Sequence, residues 1–336
     1  MHTSRRTILK SVASIGLIGL GSKTATAQSG TFNFKVATNV QNTHPIYVRL
    51  AEATEKIKVE TDGKVIVRVF PNGQLGSDTD MLSQVRSGGV DFLTLPGVIL
   101  ANLVPMASLN SVGFAFADYP TVWKAMDGDL GRYIRTHIAK ANLHVFDKVW
   151  DNGFRQMTSN KPINTPADLN EMKIRVPVSP LLLSLFKRLK SSPTAINFNE
   201  LYSSLQTKLV DAQENPLPII QSAKLYEVQK SCALTSHVWD GYWMLANKRV
   251  FEGLPTPLRE VVAKNFDAAA VNQRADSERL AISLQQELGA KGLVFHKPAI
   301  EPFRAALQHG KFYSEWKGKF GEEAWTQLEA AVGKLA

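Results

Sequence analysis

Two α/β domains braced by one long helix are what this 336-residue sequence predicts. Three observations carry the prediction. The length exceeds what a single hydrophobic core usually organises. Runs with an apolar period of two alternate with runs of helical period, in the strand, helix, strand order of a parallel sheet. Leu258 to Leu288 form one helical run without an internal Gly or Pro, longer than ordinary globular helices and long enough to brace two domains. Hydrophobic residues at 44% and charged residues at 21% are ordinary globular values, which excludes bulk disorder and fibrous repeats.

The first residues are set apart from the fold. Ser4-Arg5-Arg6-Thr7-Ile8-Leu9-Lys10 precedes the apolar run Val12 to Leu20 and the small-residue site Ala25-Thr26-Ala27. This is the order of a twin-arginine export signal, with cleavage expected after Ala27 and a periplasmic destination. The apolar run is far shorter than the roughly 20 residues that span a bilayer, and no later segment reaches that length. Four of the basic residues behind the +9 net charge lie in this signal, leaving +5 for the mature chain. That charge is dispersed without a Lys/Arg block, so nucleic acid is not an expected partner. A modest positive field suits an anionic small molecule.

From Thr31 the chain reads as follows. Phe32, Phe34 and Val36 alternate in a strand, Thr38 to Pro45 is a polar loop, and Ile46 to Thr61 is helical. Asp62-Gly63 turns into the β-branched strand Lys64–Phe70, stopped by Pro71-Asn72-Gly73. Met81 to Ser87 is a short helix and Val90 to Leu95 a strand; Asp118-Tyr-Pro120 opens a helix to about Ala141, and Leu143 to Trp150 is a strand. A first domain, 28–151 with 240–280, is expected to end there. The second, 152–239 with 281–336, holds strands at Gly153–Ser159, Met172–Val178 and Val210–Glu214. Its helices are Ser179–Lys190, entered through a Ser-Pro cap, and Glu200–Leu209. His237 to Asn247 is aromatic and extended. A strand at Leu293–Phe295 and two helices follow the long run, whose limits are about 257–288.

The familiar chemical motifs are absent: no GxGxxG after a strand, no Walker lysine, no HExxH, CxxC or GxSxG. No catalytic residue, metal ligand or cofactor is called for. Cys232, the one cysteine, cannot pair within the chain and is expected to be a buried small hydrophobe.

What stands out is the stretch from Gly153 to Pro216. Arg175 follows a strand-like run, where its fork of donors is awkward unless a planar anion meets it. A carboxylate ligand satisfies that condition, and so does a structural ion pair with Glu214 or Asp211.

The residues of this stretch also carry a resemblance. Gly153-Phe-Arg155-Gln-Met-Thr158, Asn160-Lys-Pro-Ile163, Thr165-Pro-Ala-Asp168-Leu169, Met172-Lys-Ile-Arg175-Val-Pro177, Phe198-Asn-Glu200-Leu-Tyr202 and Val210-Asp211-Ala-Gln213-Glu214-Asn215-Pro216 resemble the DctP-type substrate-binding proteins of TRAP transporters. Phe70-Pro-Asn-Gly-Gln-Leu-Gly76, Gly89-Val-Asp-Phe92 and His237 match as well. The sequence departs from the pattern at Asn170-Glu171, Ser191-Ser192 and Ala212.

The resemblance implies a periplasmic clamshell of two α/β domains that closes on an organic acid and passes it to an ion-driven TRAP permease. It implies Arg175 as the two-pronged carboxylate anchor, supplemented by Arg155, with Phe198 packed on the ligand and Asn215 hydrogen-bonded to it. Glu214 is counted with the site, in a structural role. From the opposite domain Asn39, Thr43 and His44 are candidates because they follow the first strand at its C-terminal end. Trp239 and Trp243 either line the pocket or pack the hinge. Two rival readings are a periplasmic enzyme using Asp211, Glu214 and His237, and a ligand-sensing subunit of a membrane receptor.

Overall fold

The structure, a computed structural model, describes residues 30–335; the export signal expected over 1–27 and its cleavage site lie outside the described residues. β1 (Phe32–Thr38), α1 (Pro45–Glu60) and β2 (Val65–Phe70) form the first unit, and α2 (Asp78–Ser87) leads to β3 (Phe92–Pro96). α2 begins earlier than the sequence reading places it. Ser77 and Asp80 cap it reciprocally: Asp80 N donates to Ser77 Oγ (3.3 Å) and Ser77 N to Asp80 Oδ2 (3.0 Å). α3 (Gly97–Leu100) and a 3-10 turn over Pro105–Ser111 come next.

The single helix expected to reach about Ala141 is two, α4 (Tyr119–Met126) and α5 (Asp129–Ala139). They part at Gly128, where a Cβ would lie 2.5 Å from the Lys124 carbonyl oxygen. β4 (Leu143–Val145) is short, and β5 (Trp150–Ser159) runs straight through the boundary expected near Asp151. Gly153 lets it do so, at φ +102.

Beyond β5 lie β6 (Lys173–Val176), α6 (Pro180–Arg188), β7 (Ser192–Ala195), α7 (Leu201–Gln206), β8 (Ala212–Pro216), α8 (Leu217–Ser222) and β9 (Ser231–Ala233). Then come β10 (Trp239–Asn247), α9 (Lys248–Glu252), the 35-residue α10 (Thr256–Ala290) and β11 (Val294–His296). Three helices, not two, end the described chain: α11 (Glu301–His309), α12 (Phe312–Phe320) and α13 (Glu322–Val332).

The strands make one sheet in the order β2-β1-β3-β10-β5-β8-β6-β7. β1, β2 and β3 are parallel at one end, and β8, β6 and β7 are parallel at the other. Between them β10 and β5 run antiparallel to their neighbours. β5 is the bridge: residues from Trp150 to Phe154 pair with β10, and residues from Arg155 to Ser159 pair with β8.

α10 braces both ends of this sheet. Its first half buries Phe266 and Ala270 against Phe34 and Phe92; its second half buries Leu284 and Leu288 against Ile220 and Leu225. Midway, Gln273 acts on the β5 backbone as a strand neighbour does, accepting from Asp151 N (2.8 Å) and donating to Asp151 O (2.7 Å). The two lobes are pressed together, since one core cluster joins Leu93 and Leu95 of β3 to Leu182, Leu185 and Phe186 of α6. α13 lies on α4 and α5, and α12 touches α6, so the C-terminal helices meet both halves.

Candidate functional site

The C-terminal ends of the parallel strands from both lobes converge on one cleft, the place where open α/β sheets put ligands. Its floor is a buried charge network on β5, β8 and β10. Arg155 donates from Nε to Glu214 Oε2 and from Nη2 to Glu214 Oε1 (2.8 Å); its Nη1 reaches Asp240 Oδ2 (2.6 Å). A further bond runs from Nη2 to Asn215 Oδ1 (3.1 Å). Burial alone would make the Arg155 proton easier to lose, but Glu214 and Asp240 hold it on and raise its pKa. Burial likewise opposes the ionised Glu214, yet Arg155 and a contact from His237 Nε2 (3.1 Å) keep its pKa low. Arg155 is thus fully engaged by the protein.

Arg175 is not. It is 1% exposed on β6, and its one side-chain hydrogen bond among the described residues runs from Nε to Ile196 O at 2.9 Å. Among the described residues no carboxylate is ion-paired with it; Glu214, one of the partners the sequence left open, is taken by Arg155, and Asp211 is exposed. Burial lowers its pKa to about 10, with Arg155 pushing the same way and Glu214 and Asp78 opposing. The side chain is a buried cation without an ion-pair partner among the described residues.

The opposing lobe brings Asn39, Asp78 and Tyr242 to the same place. Tyr242 Oη donates to Asn39 Oδ1 (3.2 Å), which turns the amide so that Asn39 Nδ2 donates to Asp78 Oδ1 (2.7 Å). Asp78 Oδ2 is buried without a partner. Burial raises its pKa to about 6, while the nearby Arg175 charge and the Asn39 amide restrain the rise. A cavity of about 390 Å³ opens between the lobes, lined by Asn39, Ser77 and Asp78 from one side and Phe198, Asn199 and Tyr202 from the other. Hydrogen bonds cross the cleft beside it: Asn197 Nδ2 to Thr79 Oγ1 (3.3 Å), Ser222 Oγ to Gln41 Oε1 (3.1 Å) and Asn102 Nδ2 to Val178 O (2.6 Å).

The remaining candidates divide. His44 caps α1, its Nδ1 accepting from Ile46 N (3.2 Å), and burial drops its pKa to about 3 despite a contact with Asn152. Thr43 is exposed. Trp239 and Trp243 face the apolar core: Trp239 donates to Asp151 Oδ1 (2.9 Å) and meets Phe116 and Trp123 edge-on. β10 alternation sends Tyr242 and Met244 to the other face, so the cleft receives the Tyr and the core receives the Trp pair. Of the three residues of the enzyme reading, His237 and Glu214 touch while Asp211 stays on the surface. Cys232 is buried, which pushes its thiol up to about 12.

Sequence reasoning missed Asp78, Asp240 and Tyr242. Asp78 sits where Ser77 and Asp80 signal only a helix start, and Asp240 is hidden in an aromatic run; the period-two pattern of β10 was the available signal for Tyr242.

The family of bacterial extracellular solute-binding proteins, family 7 (DctP), matches residues 36–315. The chain belongs to this family. A solute-binding protein of Roseobacter denitrificans is 33% identical over 90% of this chain and 92% of its own length. Its crystal structure with bound L-galactonate superposes with a TM-score of 0.83 at 28% identity, over 88% of this chain and 99% of that one. The 2,3-diketo-L-gulonate-binding periplasmic protein of Escherichia coli is 30% identical over 82% of this chain and 84% of its own. A sugar acid binding protein of Advenella mimigardefordensis, solved with galactonate, reaches a TM-score of 0.87 at 26% identity, over 91% and 99%. The two-lobed α/β clamshell described above is the fold of these family 7 proteins, which serve transporters as solute carriers.

Proposed function

We propose that this family 7 protein is the periplasmic receptor of a TRAP transporter: it closes on an organic acid, performs no chemistry on it, and delivers it to the membrane permease. The observation that carries the reading is Arg175, sealed in the cleft with a single backbone partner. Leaving a guanidinium buried and unpaired is costly, and a carboxylate matches its planar fork with two parallel hydrogen bonds. Asn215 and Phe198 stand with it, the one holding Arg155 and the other forming a wall of the cavity.

Arg155 serves differently. Its ion pairs with Glu214 and Asp240 fix the cleft floor. Asn39 comes from the first lobe, so an acid bound between the lobes favours closure through contacts that the open state lacks. The sugar acids bound by the relatives above support an organic acid as the class. Among the described residues no helix is long and apolar enough to cross a membrane, which fits a partner of the permease.

A thermal-shift screen of keto, hydroxy, sugar, dicarboxylic and aromatic acids tests the reading. A ligand at 100 times its Kd stabilises the folded state by about 2.7 kcal/mol. At least one acid is expected to raise the Tm while its methyl ester does not, and NMR of the recovered acid is expected to show it unchanged. Equal shifts with acid and ester, or conversion of the acid, would overturn it.

A further inference from the structure

We propose that Gln213, Thr158 and Gln229 are positioning residues for acid binding: they form a one-way chain of hydrogen bonds that holds the Asn215 amide with its oxygen on Arg155 and its NH2 group as a donor. The inference rests on the reading that sets Asn215 beside the bound acid, and concerns what keeps that amide in one orientation.

The chain runs from the cleft end of β8 back towards the start of that strand. Gln213 and Asn215 are two residues apart and share a face of the sheet, and Thr158 of β5 pairs opposite Gln213 on that face. Asn215 Nδ2 donates to Gln213 Oε1 (2.6 Å), Gln213 Nε2 to Thr158 Oγ1 (2.7 Å), and Thr158 Oγ1 to Gln229 Oε1 (3.0 Å). Gln229 Nε2 ends the run on two backbone carbonyls, Val228 O (3.0 Å) and Asp211 O (3.3 Å). All four side chains are buried, so a broken link leaves polar groups unpaired away from water.

Both ends fix the direction. Carbonyl oxygens only accept, so Gln229 turns its NH2 to Val228 and Asp211 and its oxygen to Thr158. The one proton of the Thr158 hydroxyl goes to Gln229, which leaves its lone pairs for the Gln213 NH2; Gln213 then has only its oxygen for Asn215. At the cleft end a guanidinium only donates, and Arg155 Nη2 meets Asn215 Oδ1 at 3.1 Å. That nitrogen also serves Glu214 O (2.6 Å) and Glu214 Oε1 (2.8 Å), more acceptors than it has protons. The bond to Arg155 is therefore the weak hold on the amide, and the short bond to Gln213 is the strong one. One Nδ2 proton of Asn215 is bound to Gln213, and the other is the donor available to an acid. A flipped amide offers an oxygen in its place, which repels a carboxylate.

The test is a double-mutant cycle read by calorimetric titration. Pyruvate, lactate, galactonate, succinate and benzoate, one from each class of the screen above, are titrated into wild type, and the tightest binder is the probe. Thr158→Val, which keeps the side-chain shape and removes the hydroxyl, is expected to weaken binding about 10-fold, and Thr158→Ser, which restores the hydroxyl, to stay within about 3-fold of wild type. If Thr158 acts through Asn215, Thr158→Val in an Asn215→Ala background changes affinity by less than about 2-fold, because the amide it orients is gone. Should Thr158→Val fail to fold by circular dichroism, Gln213→Met breaks the next link and gives the same comparison. An equal loss in both backgrounds, or no loss in either, overturns the positioning role and leaves the reading of Asn215 standing. Wild-type affinity of Asn215→Ala overturns that reading and the proposal with it, while Arg175→Ala reports separately on the carboxylate. Absence of binding by every one of these acids overturns both.

Discussion

Arg155 clamps Glu214 with two nitrogens, one on each carboxylate oxygen, with both side chains sealed from solvent. Removing one partner of such a pair leaves a buried charge uncompensated, which costs about 3–5 kcal/mol. Glu214→Ala is therefore expected to lose stability on that scale in urea unfolding, without the ligand present. Asp240 still holds Arg155, which places the effect toward the lower end.

Arg175→Ala makes the opposite case. No ion pair is broken, and removal of a costly buried cation offsets the lost bond to Ile196 O, so the apo protein is expected to keep its unfolding free energy within about 1 kcal/mol of wild type. Arg175→Lys is expected to fold equally well yet bind acid at least about 10-fold more weakly, because an ammonium cannot make the planar two-pronged pair. Calorimetric titration of the two variants beside wild type checks both statements.

Asp151, at the β5 bridge, predicts a pH effect. Burial raises its pKa from 3.8 to about 7, against bonds from Trp239 and Gly153. The folded state therefore takes up a proton that the unfolded chain has already released. That contribution to stability is fully present below about pH 4 and lost as pH rises through about 7. His44, depressed to about 3, works the other way: its contribution is present above 6.5 and lost as pH falls. Comparison with Asp151→Asn isolates the first effect. The Tm difference, wild type minus variant, is expected to be larger at pH 5 than at pH 8; an unchanged difference contradicts the assignment.

The cross-cleft bond from Asn197 to Thr79 predicts a closing effect. Thr79→Val removes the acceptor from the outer edge of α2 and leaves Asp78 in place. Affinity for the acid is expected to fall several-fold, through faster release, with little change in apo stability; stopped-flow fluorescence measures the release rate.

How far the sequence could be read depended on which neighbours decide a residue's role. Arg175 drew notice because a strand that is to be buried does not tolerate a guanidinium without a partner, whereas Asn215 and Phe198 entered as candidates through the resemblance. The long helix was legible from the missing Gly and Pro between Leu258 and Leu288. The division of labour between the two arginines was not, because it turns on Asp240 arriving from β10 to share Arg155. Nor was the burial of Asp78, which depends on Asn39 and Tyr242 meeting it from β1 and β10. Trp239 and Trp243 drew notice by size, yet strand alternation turns both to the core. The break at Gly128 lay within a run of good helical pattern; the backbone there is non-helical, and the close Lys124 carbonyl leaves no room for a side chain.

The most direct test of the account is calorimetric titration of Arg175→Ala with the acid that wild type binds most tightly. The account predicts that binding falls below detection while the circular dichroism spectrum and unfolding midpoint of the apo variant match wild type. Binding within a few-fold of wild type would contradict it, because the carboxylate would then be held by some other group and the unpaired guanidinium would not be the anchor.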